Sequence, residues 1–192
     1  TVDPGVTSFT VTVSSTNDTV DESDETYTLT VGGQSGTGTI VDNDGAPTIS
    51  SVTADSETEG TSLVHTVTLS NASASSTTFA FSLSDVTTSG GDHGTPVFSA
   101  GVTDNGDGTI TVDPGVTSFT VTVSSTNDTV DESDETYTLT VGGQSGTGTI
   151  VDNDAAPTIS SVTADSETEG TSLVHTVTLS NASASSTTFA FS

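Results

Sequence analysis

The sequence predicts an all-β protein, an antiparallel β-sandwich repeated in tandem, and three observations carry that expectation. Apolar Val, Ile, Leu, Phe and Tyr alternate with Thr and Ser over short stretches, the period of half-buried strands. Turn-formers punctuate those stretches: Asn71, Gly90-Gly91, Asn105-Gly106, Asp113-Pro114-Gly115 and Gly142-Gly143. Residues 1–82 recur as residues 111–192 with a single change, Gly45 being matched by Ala155. A period of 110 residues is too long for a solenoid turn, whose units run to about 20–50 residues, and suits one small sandwich.

The string Asp-Asn-Asp-x-Ala-Pro at 42–47 and 152–157 marks the boundaries. A complete module then spans 46–155, residues 1–45 read as the C-terminal part of a preceding repeat, and 156–192 as the N-terminal part of a following one. The two flanking pieces together lack a counterpart of 83–110, so the sequence reads as a window from a longer array. Neither flanking piece is expected to fold alone, since each leaves strand edges and half a core uncovered.

Within the module, Thr48–Thr53 is a short strand. Leu63, His65, Val67 and Leu69 share one phase, and so do Phe79, Phe81 and Leu83. Ile110 and Val112 lie on one arm of a hairpin that starts at the turn 104–108. Phe119, Val121 and Val123 follow in phase, then Tyr137, Leu139 and Val141, then Thr149–Val151. Seven or eight short strands at this spacing describe an immunoglobulin-like sandwich. No segment shows helical apolar spacing.

Charge sets the second constraint. The 192 residues include 26 Asp plus Glu and no Lys, Arg or Cys, for a net charge of −26. Low hydrophobicity with high net charge is a signature of disorder, but the strict strand alternation argues for a folded chain. A compact body this anionic repels itself, and no lysine or arginine is present to pair with a carboxylate. Clustered carboxylates favour a hard divalent cation with oxygen ligands, Ca²⁺ above all, while Mg²⁺ demands a stricter octahedron. The absence of basic residues removes any electrostatic route to nucleic acid or anionic lipid. No apolar run suits membrane insertion, and no feature points to a small-molecule substrate. Without cysteines, metal is the staple that remains.

The densest acidic run is Asp128, Asp131, Glu132, Asp134 and Glu135, with Asn127, Thr129, Val130 and Ser133 between and before them. Asp152 and Asp154 end the last strand, Glu57 and Glu59 precede strand 63–69, and Asp92 sits in the turn after Gly91. Loops of a Greek-key sandwich gather at its ends, so these groups can converge near the linker. The repeat supplies further copies at Asp18, Asp21, Glu22, Asp42 and Asp44, and at Glu169, the counterpart of Glu59.

The runs E-S-D-E-T-Y, T-L-T-V, G-T-G-T-I-V and D-N-D, with Glu59-Gly60 and Gly91-Asp92-His93 upstream, resemble the Calx-β signature. The stretch G-T-I-T-V-D-P-G-V-T-S-F-T-V-T-V resembles the repeats of giant bacterial RTX adhesins. Together the resemblances cover the whole 110-residue unit. They imply a Calx-β-like sandwich, type I export, and extender modules that bind Ca²⁺ within and between domains. The family's ligands fall on Glu59, Asp92, Asp128, Glu132, Asp152 and Asp154, with Asp131, Asp134 and Glu135 as neighbours or further ligands. Asn153 stands where many relatives have a third Asp.

Plainer readings cover the remaining motifs. Asp104-Asn105-Gly106-Asp107-Gly108 lacks EF-hand spacing and its closing Glu, and reads as a hairpin turn. His65 lies in the apolar phase and reads as a buried, hydrogen-bonded core residue. His93 beside Asp92 is either part of the site or an exposed loop residue, and Glu57 either a ligand or a solvated side chain. Nothing supports a Ser-His-Asp hydrolase, so no enzymatic activity is expected. The Thr-x-Thr runs fit the solvent face of strands.

The function these features imply is a calcium-rigidified spacer, whose partners are the neighbouring repeats of the same chain. Each module would add about 40 Å of reach. The rivals are an adhesive module for a surface or glycan, which needs exposed aromatics, and a calcium sensor, which needs divergent modules rather than near-identical copies.

Overall fold

The computed structural model describes residues 1–192, and its regular elements are all strands. The first stretch carries β1 (Val20–Asp21), β2 (Glu25–Val31) and β3 (Gln34–Ile40). The complete module carries β4 (Ile49–Val52), β5 (Asp55–Thr58), β6 (Leu63–Leu69), β7 (Ala72–Ser73), β8 (Thr77–Asp85) and β9 (Val97–Phe98). It continues through β10 (Val102–Asp104), β11 (Thr109–Val112), β12 (Ser118–Val123), β13 (Val130–Asp131), β14 (Glu135–Val141) and β15 (Gln144–Val151). The last stretch adds β16 (Ile159–Val162), β17 (Val177–Leu179) and β18 (Ala182–Ser183). No helix is long and apolar enough to cross a membrane.

The module is a two-layer sandwich. One sheet has six strands in the order β10-β11-β8-β14-β15-β5, the other four in the order β4-β6-β12-β9. Alternation decides which side chains face inward. In β6, Leu63, His65, Val67 and Leu69 are buried while Val64 is exposed. They meet Val121, Val123, Tyr137, Leu139 and Val141, all with 0% exposure, from β12 and β14. Phe79, Phe81 and Leu83 of β8 pack against this core half-buried. At one end of the sandwich a smaller cluster joins Leu63, Val123, Tyr137 and Ile150.

His65 and Tyr137 are the polar exception inside that cluster. His65 Nδ1 lies 2.7 Å from the Thr53 carbonyl oxygen, so it carries the proton and donates it. Nε2 is then an acceptor, and the Tyr137 hydroxyl donates to it at 2.9 Å. Both side chains are satisfied at no exposure, the condition for polar groups to sit in a core. Burial pushes the Tyr137 phenol pKa up.

One feature differs from the sequence expectation. The fold is not wholly antiparallel: β5 pairs parallel with β15, in the register Asp55 to Gly148 through Thr58 to Val151. The sequence Asp-Ser-Glu-Thr of β5 has no apolar alternation, because this edge strand is held by backbone hydrogen bonds and contributes little to the core. Glu57 belongs to this strand, opposite Ile150. The turn at 104–108 is a hairpin turn as read: Asp104 Oδ1 accepts from the Gly106 amide at 2.9 Å and Asp107 Oδ1 from Thr109 at 3.1 Å.

Identical sequences reach different ends here. The hairpin Glu135–Val151 has its copy in β2 and β3, with the same pairing, because a Gly-Gly turn closes it locally. Ser118–Val123 is strand β12, whereas its copy at residues 8–13 is not a strand. The residues of β6 that pair with it lie 50–60 positions upstream in the module, more than the sequence holds before residue 8. Val121 is fully buried and Val11 49% exposed. Sequence supplies the alternation; a non-local partner supplies the strand.

The same context sets a paired prediction. A Cβ at Gly148 would fall inside the Tyr137 ring, and one at Gly38 inside that of Tyr27. Tyr137 is locked in the core, while Tyr27 is 37% exposed and free to swing away. Gly148→Ala is therefore expected to cost about 1–3 kcal/mol of module stability. Gly38→Ala should leave the same transition unmoved. Urea denaturation followed by tyrosine fluorescence checks both.

Candidate metal centre

The acidic groups meet at one end of the sandwich, and the parallel pair explains why. Parallel strands finish at the same end, so Glu59, just past β5, lies beside Asp152, just past β15. The Glu59 amide continues the ladder, donating to the Val151 carbonyl at 3.0 Å. Carboxylate oxygens of Glu59, Asp152 and Asp154 all fall within 4.8 Å of one another. Glu59 is buried at 8% exposure. Its Oε1 and the Oδ2 of Asp154 are buried and have no hydrogen-bond partner. A buried carboxylate oxygen without a donor is costly, and a cation is the group that satisfies several at once.

A second group adjoins the first. Glu135 opens β14, and the amides of Val86, Thr87 and Thr88 all donate to the Thr136 carbonyl, laying the following loop over that strand. The loop is then zipped onto the chain after β12: the Thr126 amide donates to the Asp92 carbonyl at 2.8 Å and Gly94 to that of Ser124 at 2.8 Å. Asp92 is thereby brought against Glu135, with Glu132 and Asp128 in the same field.

The electrostatics of the metal-free chain follow from this crowding. Burial, then the Asp92 charge and a carboxyl–carboxyl contact with Asp92, then Glu132 and Asp128, raise Glu135 from 4.5 to about 7. Burial and the charges of Asp128, Asp92 and Asp152 raise Glu132. Burial, then Asp154, then Asp128 and Asp152 raise Glu59. The pKa of Glu22 in the first stretch also rises, Asp18 being the largest cause, followed by burial and by Glu25, Asp42 and Asp44.

The expected ligands thus divide. Glu59, Asp152 and Asp154 form one cluster, and Asp92, Asp128, Glu132 and Glu135 adjoin it. Asp134 supports the cluster from outside, its Oδ1 accepting from the Asp152 amide at 3.3 Å. Asp131 is turned away, its Oδ2 accepting from the Ser183 hydroxyl at 2.6 Å, and Asp21 does the same with Ser73 at 2.7 Å. Glu57 stays in its strand outside the cluster. Asp18, Glu22, Asp42 and Asp44 line a polar hollow of about 590 Å³ that Asn17 and Asn43 border. In the module the corresponding Asn127 and Asn153 touch Gly60 and the Glu59 carbonyl, so the hollow is the place that a Glu59 segment fills. Glu169, the copy of Glu59, is exposed and stands outside the carboxylate cluster.

Several supporting residues carry no acidic signal in the sequence. The Asn153 amide donates to Asn127 Oδ1 at 3.0 Å and approaches the Glu59 carbonyl at 3.4 Å, a bridging role an Asp at this position lacks the protons for. His93 Nε2 lies 2.7 Å from Asp85 Oδ1. Burial works to lower the His93 pKa, and hydrogen bonds to Asp85 and the Gly94 carbonyl, with the charges of Asp85 and Asp92, outweigh it and raise it. His93 also leans on the Tyr137 ring at 5.4 Å between centroids, which ties the Asp92 loop to the core. The signal for that role was its place beside Asp92, not its own chemistry.

This sandwich with carboxylates gathered at one end defines a class, and comparison names it. The Calx-beta domain family profile matches residues 1–55 and 48–168, so the chain belongs to the Calx-beta domain family. Calx-beta domains bind calcium as a class, and the carboxylate cluster is of the corresponding donor type. Among solved structures, the sixth cohesin from Acetivibrio cellulolyticus scaffoldin B, determined in complex with a mutant dockerin, aligns with 57% of this chain and 100% of its own length. The identity is 13% and the TM-score 0.30. No curated protein matches the sequence.

Two predictions follow from the raised carboxyls. A folded pKa above the unfolded value gives stability that is complete below about 4.5 and lost as pH rises through about 7 for Glu135. In chelator the thermal midpoint should therefore fall between about pH 5 and about pH 8, and calcium should abolish that fall, as differential scanning calorimetry would show. Glu59→Gln removes a buried unpaired charge and a candidate ligand together. It should raise the metal-free midpoint at the upper pH while lowering calcium affinity at least about tenfold by isothermal titration.

Proposed function

We propose that the chain is a calcium-rigidified extender of a bacterial cell-surface adhesin of the RTX class, exported by a type I route and working outside the cell. The observation that carries this reading is the pair of buried, partnerless oxygens, Glu59 Oε1 and Asp154 Oδ2, in a chain with no Lys or Arg. Glu59, Asp152 and Asp154 would hold one ion, and Asp92, Asp128, Glu132 and Glu135 the adjoining positive charge. Calcium supplies neutralisation and oxygen coordination at this end, and its binding free energy becomes folding free energy. The strands that bring these carboxylates together also anchor the linker at 152–157, so filling the site stiffens the exit from the module.

The spacer role draws support from the repeat. Copies that differ at one position in 82 suit a job in which length matters and surface detail does not. The Phe side chains of the module pack against the core, leaving no aromatic platform for a glycan. Both histidines of the module serve structural contacts: His93 is held by Asp85, and His65 by Tyr137 and Thr53. The partners are the neighbouring repeats, and the low calcium of a cell interior would keep the chain loose for export.

Calcium titration of the 192-residue chain tests the proposal. Free calcium at about 100 times its dissociation constant stabilises by about 2.7 kcal/mol per site. The midpoint should rise by roughly 10–20 °C, and small-angle scattering should show a longer, narrower particle. Equal stability and equal straightness after exhaustive chelation would overturn it.

A further inference from the structure

Each junction between repeats is closed by the same contact, 110 residues apart. At the first, β1 pairs parallel with β7, Val20 opposite Ala72 and Asp21 opposite Ser73. At the second, β13 pairs parallel with β18, Val130 opposite Ala182 and Asp131 opposite Ser183. The Asp21 carbonyl accepts from the Ala74 amide at 2.8 Å, and the Asp131 carbonyl from Ala184 at 2.9 Å. The serine hydroxyl accepts from an amide two residues on, Ser75 or Ser185, at 3.1 Å in both cases. That leaves its own proton for the aspartate: Ser73 donates to Asp21 Oδ2 at 2.7 Å and Ser183 to Asp131 Oδ2 at 2.6 Å. Ser73 is 5% exposed, so the bond at the first junction is shielded from water.

A second contact spans the linker. The Asn71 amide donates to the Gly45 carbonyl at 2.8 Å and the Asn181 amide to the Ala155 carbonyl at 2.8 Å. Position 45/155 is the one place where the repeats differ. Because it contributes a backbone carbonyl, Gly and Ala serve equally. Ser73 also reaches into its own module, its carbonyl accepting from the Gly115 amide at 2.9 Å. The preceding repeat is thus tied to the body of the following one, through the turn at 113–115 as well as through the linker.

We infer that Asp131, with its copy Asp21, is a docking residue for the next repeat: its carboxylate grips the Ser183 (Ser73) hydroxyl and, with the two-residue parallel strand and the Asn181 (Asn71) amide, fixes the angle between successive modules. The partner is a further copy of this repeat presenting Asn-Ala-Ser just after the strand that corresponds to β6. The inference stands apart from the calcium reading, because none of the contacting groups belongs to the Glu59 cluster. It assigns the carboxylate of Asp131 to the neighbour rather than to an ion. Chemistry separates those roles: an asparagine at 131 keeps an oxygen to accept from serine but loses the charge a cation needs.

The chain has no cysteine, so a spin-label pair at Gln144→Cys and Glu167→Cys reports the angle between the complete module and the next repeat. Pulsed electron–electron dipolar spectroscopy gives the distance distribution, in calcium and in chelator. In calcium, Ser183→Ala and Asp131→Ala should raise the undocked population about tenfold, the worth of one charge-assisted hydrogen bond. Asp131→Asn should keep the narrow distribution, and all three should keep the calcium affinity of the unsubstituted chain. A Ser183→Ala distribution as narrow as that of the parent overturns the inference. So does loss of calcium affinity in Asp131→Asn, which would make Asp131 a ligand. If calcium changes nothing in any variant while Ser183→Ala still broadens the distribution, the docking contact stands and the calcium reading fails.

Discussion

Carboxylates that cannot find a positive partner within their own chain govern this molecule. Surface acids are ordinarily left to water, where screening makes their repulsion small. Here the parallel pairing of β5 with β15 carries Glu59 to the same end as Asp152 and Asp154 and buries it there. The zipper between residues 92–94 and 124–126 adds Asp92 to Glu135. Each backbone contact is favourable by itself, and together they concentrate like charge where the dielectric is low. Protons or a dication must balance it, and the raised pKa values of Glu59, Glu132 and Glu135 are the protonic half of that statement.

Site and core are not separate bodies. Glu135 begins β14 and Tyr137, two residues on, is fully buried, its hydroxyl bound to His65 and its ring against His93. The cluster Leu63, Val123, Tyr137 and Ile150 therefore lies directly beneath the acidic end, each member within a few residues of a candidate ligand or its supporting loop. Relief of repulsion at the site is transmitted to packing along strands with little freedom to yield. The same end carries the docking strand β13, between Asp128, which accepts from the Val130 amide at 2.7 Å, and Glu132, whose amide donates to Asp152 at 3.2 Å. The acidic loop and the neighbour contact share a backbone.

The repeated sequence works as an internal control on what local information does. Hairpins closed by Gly-Gly form in both copies, and the serine–aspartate contacts form at both junctions. Strands that depend on distant partners form only where those partners exist: β12 against β6, β8 against β14, β5 against β15. Tyr27 and Tyr137 occupy identical sequence and differ from 37% to 0% exposure. The hollow beside Asp18 and Asp42 likewise shows an acidic loop shaped for a segment that comes from elsewhere in a module.

Alternation, turn residues and charge were legible in the chain alone, because each is written in the residue types themselves: the inward phase of Leu63–Leu69, the hairpin turn at 104–108, the 110-residue period and the excess of carboxylates. Membership of the acidic cluster was only partly legible. Composition marks every Asp and Glu alike, and nothing local distinguishes Asp154, which joins Glu59, from Asp131, which turns to Ser183. The edge strand β5 carries no apolar signature, so its parallel direction, which decides that Glu59 and Asp152 finish side by side, depends on backbone pairing across more than 90 residues of sequence. A carboxylate's role is set by which other oxygens stand within a few ångströms, and that distance is a property of the folded sheet rather than of the chain that forms it.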